Sequence, residues 1–249
     1  MKPDSTTGNT SHLPKQKKQQ KKERLQKLIA ARSNYSRRKA EDLIREGQVF
    51  VNGEKAEIGQ SASQQDEISI NGNILKPKTH IYLALYKPDG YLSTTQDTHG
   101  RRTVIDLLPE ELKSVKPAGR LDADSRGLLI LSTDGDFIQK ITHPSNESTK
   151  DYIVKVKGEP TQETLEKLTS GTLQLDSYTL NPMSYSILNP HSFILTLSEG
   201  RKRQIREVFR LLGHHVVYLK RLRVGPIELG DLKKGQYRHL TDKEILSFG

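Results

Sequence analysis

The 249-residue sequence predicts an α+β protein in two parts. Strand-like runs are many and separated, few helical patterns lie between them, and a compact helix–helix–strand pattern near the N-terminus precedes a polar break rich in Asn, Gly and Pro. Strands and helices do not alternate, so a doubly wound parallel sheet is not expected.

Residues 1–22 are polar, low in complexity and without apolar periodicity, and are expected to be a disordered basic tail. From Glu23 the pattern changes: Leu25, Leu28 and Ile29 fall at i, i+3, i+4, and Ala40, Leu43 and Ile44 repeat the spacing, which predicts two short helices. Ser36 is the expected N-cap of the second and Gly47 its end. Val49-Phe50-Val51 reads as a strand, Asn52-Gly53 as a hairpin turn and Ile68-Ser69-Ile70 as a further strand. Residues 23–70 thus form a small helix–helix–strand module. Residues 71–80 are the expected linker, and 81–249 a larger domain with strands near 81–86, 128–131, 152–156 and 193–197. A helix over 204–212 and a last one opened by Thr241, with Glu244 completing a capping box, finish the chain.

Composition excludes several classes. No apolar run approaches the roughly 20 residues of a spanning helix, and the Lys- and Gln-rich start lacks the apolar core of a signal peptide, so a soluble, unprocessed protein is expected. The chain has no cysteine, hence no disulfide, thiolate nucleophile or thiolate-bound metal, and the cytoplasm is the default location. The net charge of +10 is unevenly placed: residues 1–40 hold 12 Lys and Arg against Asp4 and Glu23, leaving 28 basic and 28 acidic groups elsewhere. A cationic arm on a neutral body suits a polyanion, most often nucleic acid, although a solubilising tail has the same composition.

Three clusters could carry chemistry. Arg37, Arg38 and Lys39 fall in the first turn of the second helix, where cations oppose the macrodipole by about 0.3–1 kcal/mol each unless an anion sits there. Phosphate would reverse that balance; otherwise the long side chains splay into solvent. Residues 199–223 hold eight basic groups against Glu199 and Glu207. Ile205, Val208, Phe209 and Leu212 make an apolar stripe opposite Arg203, Arg206 and Arg210, for which a solvated arginine face is the usual explanation, but Arg201 and Lys202 add charge at the helix entrance, as in a cleft that binds a phosphate backbone.

The third cluster is Gly119-Arg120-Leu121-Asp122-Ala123-Asp124-Ser125-Arg126-Gly127, just before Leu128-Leu129-Ile130-Leu131. An extended loop would point Arg120, Asp122 and Asp124 to one side, and an aspartate held by arginine stays ionised as nucleophile or base. An EF-hand register from Asp122 puts Gly127 correctly at position six but Thr133 where the bidentate Glu belongs, so calcium is not expected. The Asp122/Asp124 spacing is too common to indicate a glycosidase pair. His214-His215 has no metal-ligand spacing, no metal site is expected, and no Gly-rich nucleotide loop occurs. On residue types alone, a structural salt bridge in the loop remains the simpler reading.

Together, the loop at 119–129, Lys150-Asp151-Tyr152 and Gly200-Arg201-Lys202-Arg203-Gln204-Ile205-Arg206 resemble, in that order, the three signatures of RsuA/RluB-type ribosomal RNA pseudouridine synthases. Lys87-Pro88-Asp89-Gly90, the run at 102–109 and Gly225-Pro226-Ile227 extend the likeness, and the small module resembles an S-four-like RNA-binding domain. The resemblance implies a mixed, largely antiparallel sheet crossed by a basic cleft. It further implies that Asp122 is the catalytic aspartate, Tyr152 stacks on the target base, Arg206 pairs with Asp122 and Arg120 helps hold the extruded nucleotide. Ser33-Asn34 departs from the Gly common between the two helices; Asn tolerates left-handed geometry, so altered detail is expected. The implied reaction isomerises uridine to pseudouridine without metal, redox or nucleotide cofactor, on ribosomal RNA or a ribosomal subunit precursor, by a monomer with no membrane partner. A base within folded RNA must first be flipped out, which costs a few kcal/mol. A non-catalytic RNA-binding assembly factor would not need Asp122, Tyr152 and Arg206 together. Whether Asp122 attacks the base or acts at the ribose is left open by the sequence.

Overall fold

A computed structural model describes residues 22–76, 79–143 and 148–248. The expected disordered tail lies outside them apart from Lys22. Two compact units divide between Lys78 and Thr79.

In the first unit, β1 (Glu23–Arg24) precedes α1 (Leu25–Arg32), α2 (Arg37–Arg45), β2 (Val49–Val51), β3 (Glu54–Lys55), β4 (Ser61–Ala62), β5 (Ile68–Ile70) and β6 (Asn73–Ile74). The first helix starts two residues after Glu23, because Glu23 and Arg24 instead pair antiparallel with Ala62 and Ser61. The Ser36 hydroxyl accepts the Lys39 amide at 3.2 Å, a cap of the kind that contributes about 1 kcal/mol. Between the helices, Ser33 is extended and its hydroxyl donates to the Ile29 carbonyl at 2.7 Å while accepting the Tyr35 amide at 3.2 Å. The departure at Ser33-Asn34 is therefore accommodated by a hydroxyl-bonded turn and not by left-handed asparagine.

Asn52 and Gly53 have φ of 51° and 83°, the left-handed geometry that closes β2 onto β3. β5 pairs with β2 and then β6, giving the order β3-β2-β5-β6. The expected linker at 71–80 thus begins too early: Asn71-Gly72 make a second hairpin turn and Asn73–Ile74 is an edge strand of this sheet. Leu25, Leu28, Ile29, Ala40, Leu43 and Ile44 close over Val49, Val51, Ile68 and Ile70 in one core.

The second unit contains β7 (Tyr82–Lys87), β8 (Lys116–Ala118), β9 (Arg126–Ser132), α3 (Gly135–Thr142), β10 (Lys150–Lys157), α4 (Gln162–Thr169), β11 (Gln174–Leu175) and β12 (Tyr178–Thr179). β13 (Ser184–Asn189), β14 (Ser192–Leu197), α5 (Gln204–Leu211), β15 (His215–Val224), β16 (Ile227–Glu228), β17 (Tyr237–His239) and α6 (Asp242–Leu246) complete it. The main sheet runs β13-β14-β10-β15-β9-β7-β17, with β16 on β15 and β8 on β9. Its pairs are antiparallel except β15 with β9, so the fold is α+β with a mixed, largely antiparallel sheet.

Alternation along the central strand β9 explains its apolar run. Leu129 and Leu131 pack with Leu83, Leu85 and Val104 on one face, whereas Leu128 and Ile130 pack with Ala84, Tyr86, Phe137 and Val224 on the other. Over the β14-β10-β15 half, α5 buries Ile205, Val208 and Phe209 against Val154, Leu195 and Leu219. That packing holds the basic end of α5 beside the loop that feeds β9.

Candidate active site

The loop before β9 is not extended. The Ser125 amide donates to the Asp122 carbonyl at 3.0 Å and turns the chain at 122–125, so simple alternation of side chains fails there. Lys87, at the end of β7, is fully buried beneath this turn and its Nζ donates to the carbonyls of Pro88 (3.0 Å), Asp122 (3.0 Å), Ala123 (3.4 Å) and Ser125 (2.7 Å). Burial pulls the lysine down to about 8, against the opposing pull of Asp89, Asp124 and Asp122. Beyond the turn, Gly127 has φ of 108° and lies where a Cβ would strike the Arg221 backbone, so only glycine lets β9 and β15 approach this closely.

Because of the turn, the two aspartates have different partners. Arg203 Nη1 and Nη2 donate to the two carboxylate oxygens of Asp124 at 3.2 and 3.1 Å. Arg206 Nε lies 3.3 Å from Asp124 Oδ2, its Nη2 donates to the Asp124 carbonyl at 2.9 Å, and its Nη1 donates to Val216 O at 3.0 Å. The expected Arg206–Asp122 pair is therefore replaced by Arg206–Asp124. Burial raises Asp124, but the Arg203 hydrogen bonds and the charges of Arg206 and Arg203 outweigh it and hold the carboxyl below its usual range. Among the described residues the Asp122 carboxylate meets only Arg203, at 3.9 Å, so it is held by charge and left open to a ligand.

Arg203 reaches both aspartates from an unusual backbone. It caps α5 with φ of 53° and ψ of 22°, a left-handed conformation that costs roughly 1–2 kcal/mol for a side chain of this kind. Its support comes from Gln204, which is buried: its amide donates to Glu199 Oε1 at 2.9 Å and its oxygen accepts the Arg201 amide at 3.0 Å. Glu199 Oε1 also accepts the Asn181 amide at 3.0 Å, so the basic loop before α5 is fixed by an internal polar network.

These segments line one cleft of about 780 Å³. Asp122, Tyr152, Arg120, Arg201, Lys202 and Arg203 all contribute to its wall, together with Lys150 and Arg221. Six cations against Asp122 and Glu199 make the cleft basic. Tyr152 projects from β10 and is 9% exposed, packed on its far side into the core beneath α5. Arg201 lies over the Tyr178 ring and 3.4 Å from Glu199, whereas Arg120 and Lys202 are exposed at the rim. Arg206 stands behind the wall as a support. Arg210 is exposed, pairs with Glu207 at 2.8 Å and does not line the cleft. Arg37, Arg38 and Lys39 are exposed on the first unit. Sequence reasoning assigned Lys87, Lys150 and Gln204 no role although each lies within a motif that carries the family likeness, and it counted Arg221 only among the eight basic groups of 199–223, since no periodicity marks a buried charge.

Comparison with known proteins agrees with this geometry. The family profile described as RNA pseudouridylate synthase matches residues 81–211, and that of the S4 domain matches 23–68. The ribosomal large subunit pseudouridine synthase B of Bacillus subtilis is 42% identical over 230 residues, covering 90% of this chain and 94% of that protein. The dual-specificity RNA pseudouridine synthase RluF of Escherichia coli is 35% identical, covering 90% of this chain and 77% of its own. A solved structure described as a pseudouridylate synthase aligns with a TM-score of 0.67 and 32% identity, covering 91% of this chain and 99% of that one. The chain belongs to the RNA pseudouridylate synthase family, in its RsuA/RluB branch, with an S4 domain ahead of the catalytic domain.

Proposed function

We propose that this protein isomerises a uridine of large-subunit ribosomal RNA to pseudouridine, with Asp122 as the reacting carboxylate. The observation that carries the assignment is the single basic cleft in which the 119–129 loop, β10 and the entrance of α5 bring together Asp122, Tyr152 and Arg203. The reaction breaks N1–C1′ and joins C5 to the same carbon, so it is redox-neutral and needs an ionised carboxylate and a place to hold the detached base. The Arg203 guanidinium lies 3.9 Å from the Asp122 carboxylate, and Asp124 with Arg206 keeps Arg203 in place. Tyr152 offers the flipped uracil a ring face, while Arg120, Arg201 and Lys202 hold the RNA backbone.

The S4 domain supplies a second RNA contact through Arg37, Arg38 and Lys39, where phosphate relieves the charge at the start of α2. The protein acts as a monomer in the cytoplasm on ribosomal RNA or a ribosomal subunit precursor, and needs no cofactor. Mapping pseudouridines in ribosomal RNA from cells with and without this chain tests the assignment: loss of one site in the large-subunit RNA is expected. An unchanged map would overturn it.

A further inference from the structure

The cleft floor contains a cation that the roles assigned so far do not use. Arg221 on β15 is 3% exposed; its Nε donates to the Leu128 carbonyl at 2.7 Å, and its Nη2 is buried without a hydrogen-bond partner. A buried guanidinium donor without a protein acceptor is unfavourable, and since Arg221 lines the cleft, an acceptor brought by a bound base would satisfy it. In the antiparallel register Arg221 stands directly opposite Tyr152, and both line the cleft with Asp122. Lys150 lines the same cleft, and burial together with the Arg221 charge pulls its ammonium down, so the two cations work against each other.

We propose that Arg221 is a catalytic residue that takes up the negative charge of the uracil base when its bond to ribose breaks. This rests on the pseudouridine synthase assignment above. In that step the N1–C1′ electron pair leaves with the base, and the charge spreads over N1, O2 and O4. After the base turns, C5 bonds to C1′, the C5 hydrogen leaves as a proton and N1 takes one up, so composition and oxidation state are unchanged. Exposed Arg120 and Lys202 at the rim suit phosphates, whereas a buried donor beside the stacking ring suits a base carbonyl. A fixed donor in a site shielded from water needs no reorganisation as charge develops, the condition under which such stabilisation is largest. Gly127 sets its position, since the close approach of β9 to the Arg221 backbone leaves no room for a side chain there.

The test uses the full chain and transcripts of large-subunit ribosomal RNA made with uridine or with 5-fluorouridine, whose base is the more stable anion. Consumption of the target nucleoside is followed in single turnover at saturating RNA for the wild type, Arg221→Gln and Arg221→Lys. Arg221→Gln should lower the uridine rate about 10²–10³-fold, with RNA affinity within about twofold, and Arg221→Lys should recover part of it. The loss should shrink at least tenfold on 5-fluorouridine, because a better leaving anion leans less on the donor. Equal losses on both RNAs, or a loss confined to affinity as expected for a phosphate contact, would overturn the role while leaving the enzyme assignment standing. If Arg221→Gln does not fold, Arg221→Lys carries the same two-substrate comparison. A wild-type protein that makes no pseudouridine overturns the enzyme assignment and this role with it.

Discussion

Two aspartates separated by one residue have different partners here because a turn separates them. Asp124 binds Arg203 through both oxygens and also meets Arg206, whereas among the described residues Asp122 has one cation within 4 Å, Arg203 at 3.9 Å, and lines the cleft. In the proposed reaction Asp124 is therefore a positioning residue. Asp124→Asn keeps the shape but removes the charge that orients Arg203, and its partial exposure tempers the effect. A single-turnover rate lowered about tenfold is expected, equivalent to ~1.4 kcal/mol, with RNA affinity unchanged. A rate equal to wild type, or a loss as complete as that of an Asp122 variant, would contradict this division of labour. This distinction was not legible in the sequence, where the extended-loop rule gave both carboxylates the same direction; only the Ser125-to-Asp122 hydrogen bond reveals it.

At the scale of elements, β7 ends in the group that shapes the site. Lys87 shares its ammonium protons among four carbonyls, three of them in the 122–125 turn. Burial holds it at about 8 instead of 10.5, so between those values the unfolded chain binds more protons at this residue than the native one. The contribution of Lys87 to stability must then rise as pH climbs through that window, by on the order of 3 kcal/mol in full. Urea unfolding at pH 7.5 and pH 10 should show wild type gaining on Lys87→Met across the interval; parallel changes would refute the linkage. Elements with clean periodicity were readable beforehand, namely β7, β9, β10, β14 and α5. Missing from that reading were α3, which buries only Phe137 and Ile141, and α4, which buries only Leu165 and Leu168. Strand β15 was hidden by Lys220, Arg221 and Arg223, whose charges break the apolar alternation. Arg221 binds the Leu128 carbonyl and Arg223 binds Asp151 at 2.6 Å, contacts that only the folded sheet provides.

At the scale of the whole molecule, the proposed function divides holding RNA from changing it between the two units. The S4 domain has its own core and exposes Arg37 and Arg38, while the second unit contains the entire cleft. Replacing both arginines by Glu should raise the RNA concentration needed for half-maximal rate about 10–100-fold and leave the maximal rate within about threefold. An equal fall of the maximal rate at saturating RNA would contradict that separation. The proposed chemistry depends on one carboxylate. Asp122→Asn preserves size and hydrogen-bonding shape but removes charge and nucleophilicity, so the decisive measurement is pseudouridine formation by this variant on large-subunit ribosomal RNA, with melting temperature and RNA affinity determined on the same preparation. The account predicts no detectable turnover, a melting temperature within a few degrees of wild type and normal affinity; measurable turnover by a preparation free of wild-type enzyme would contradict it.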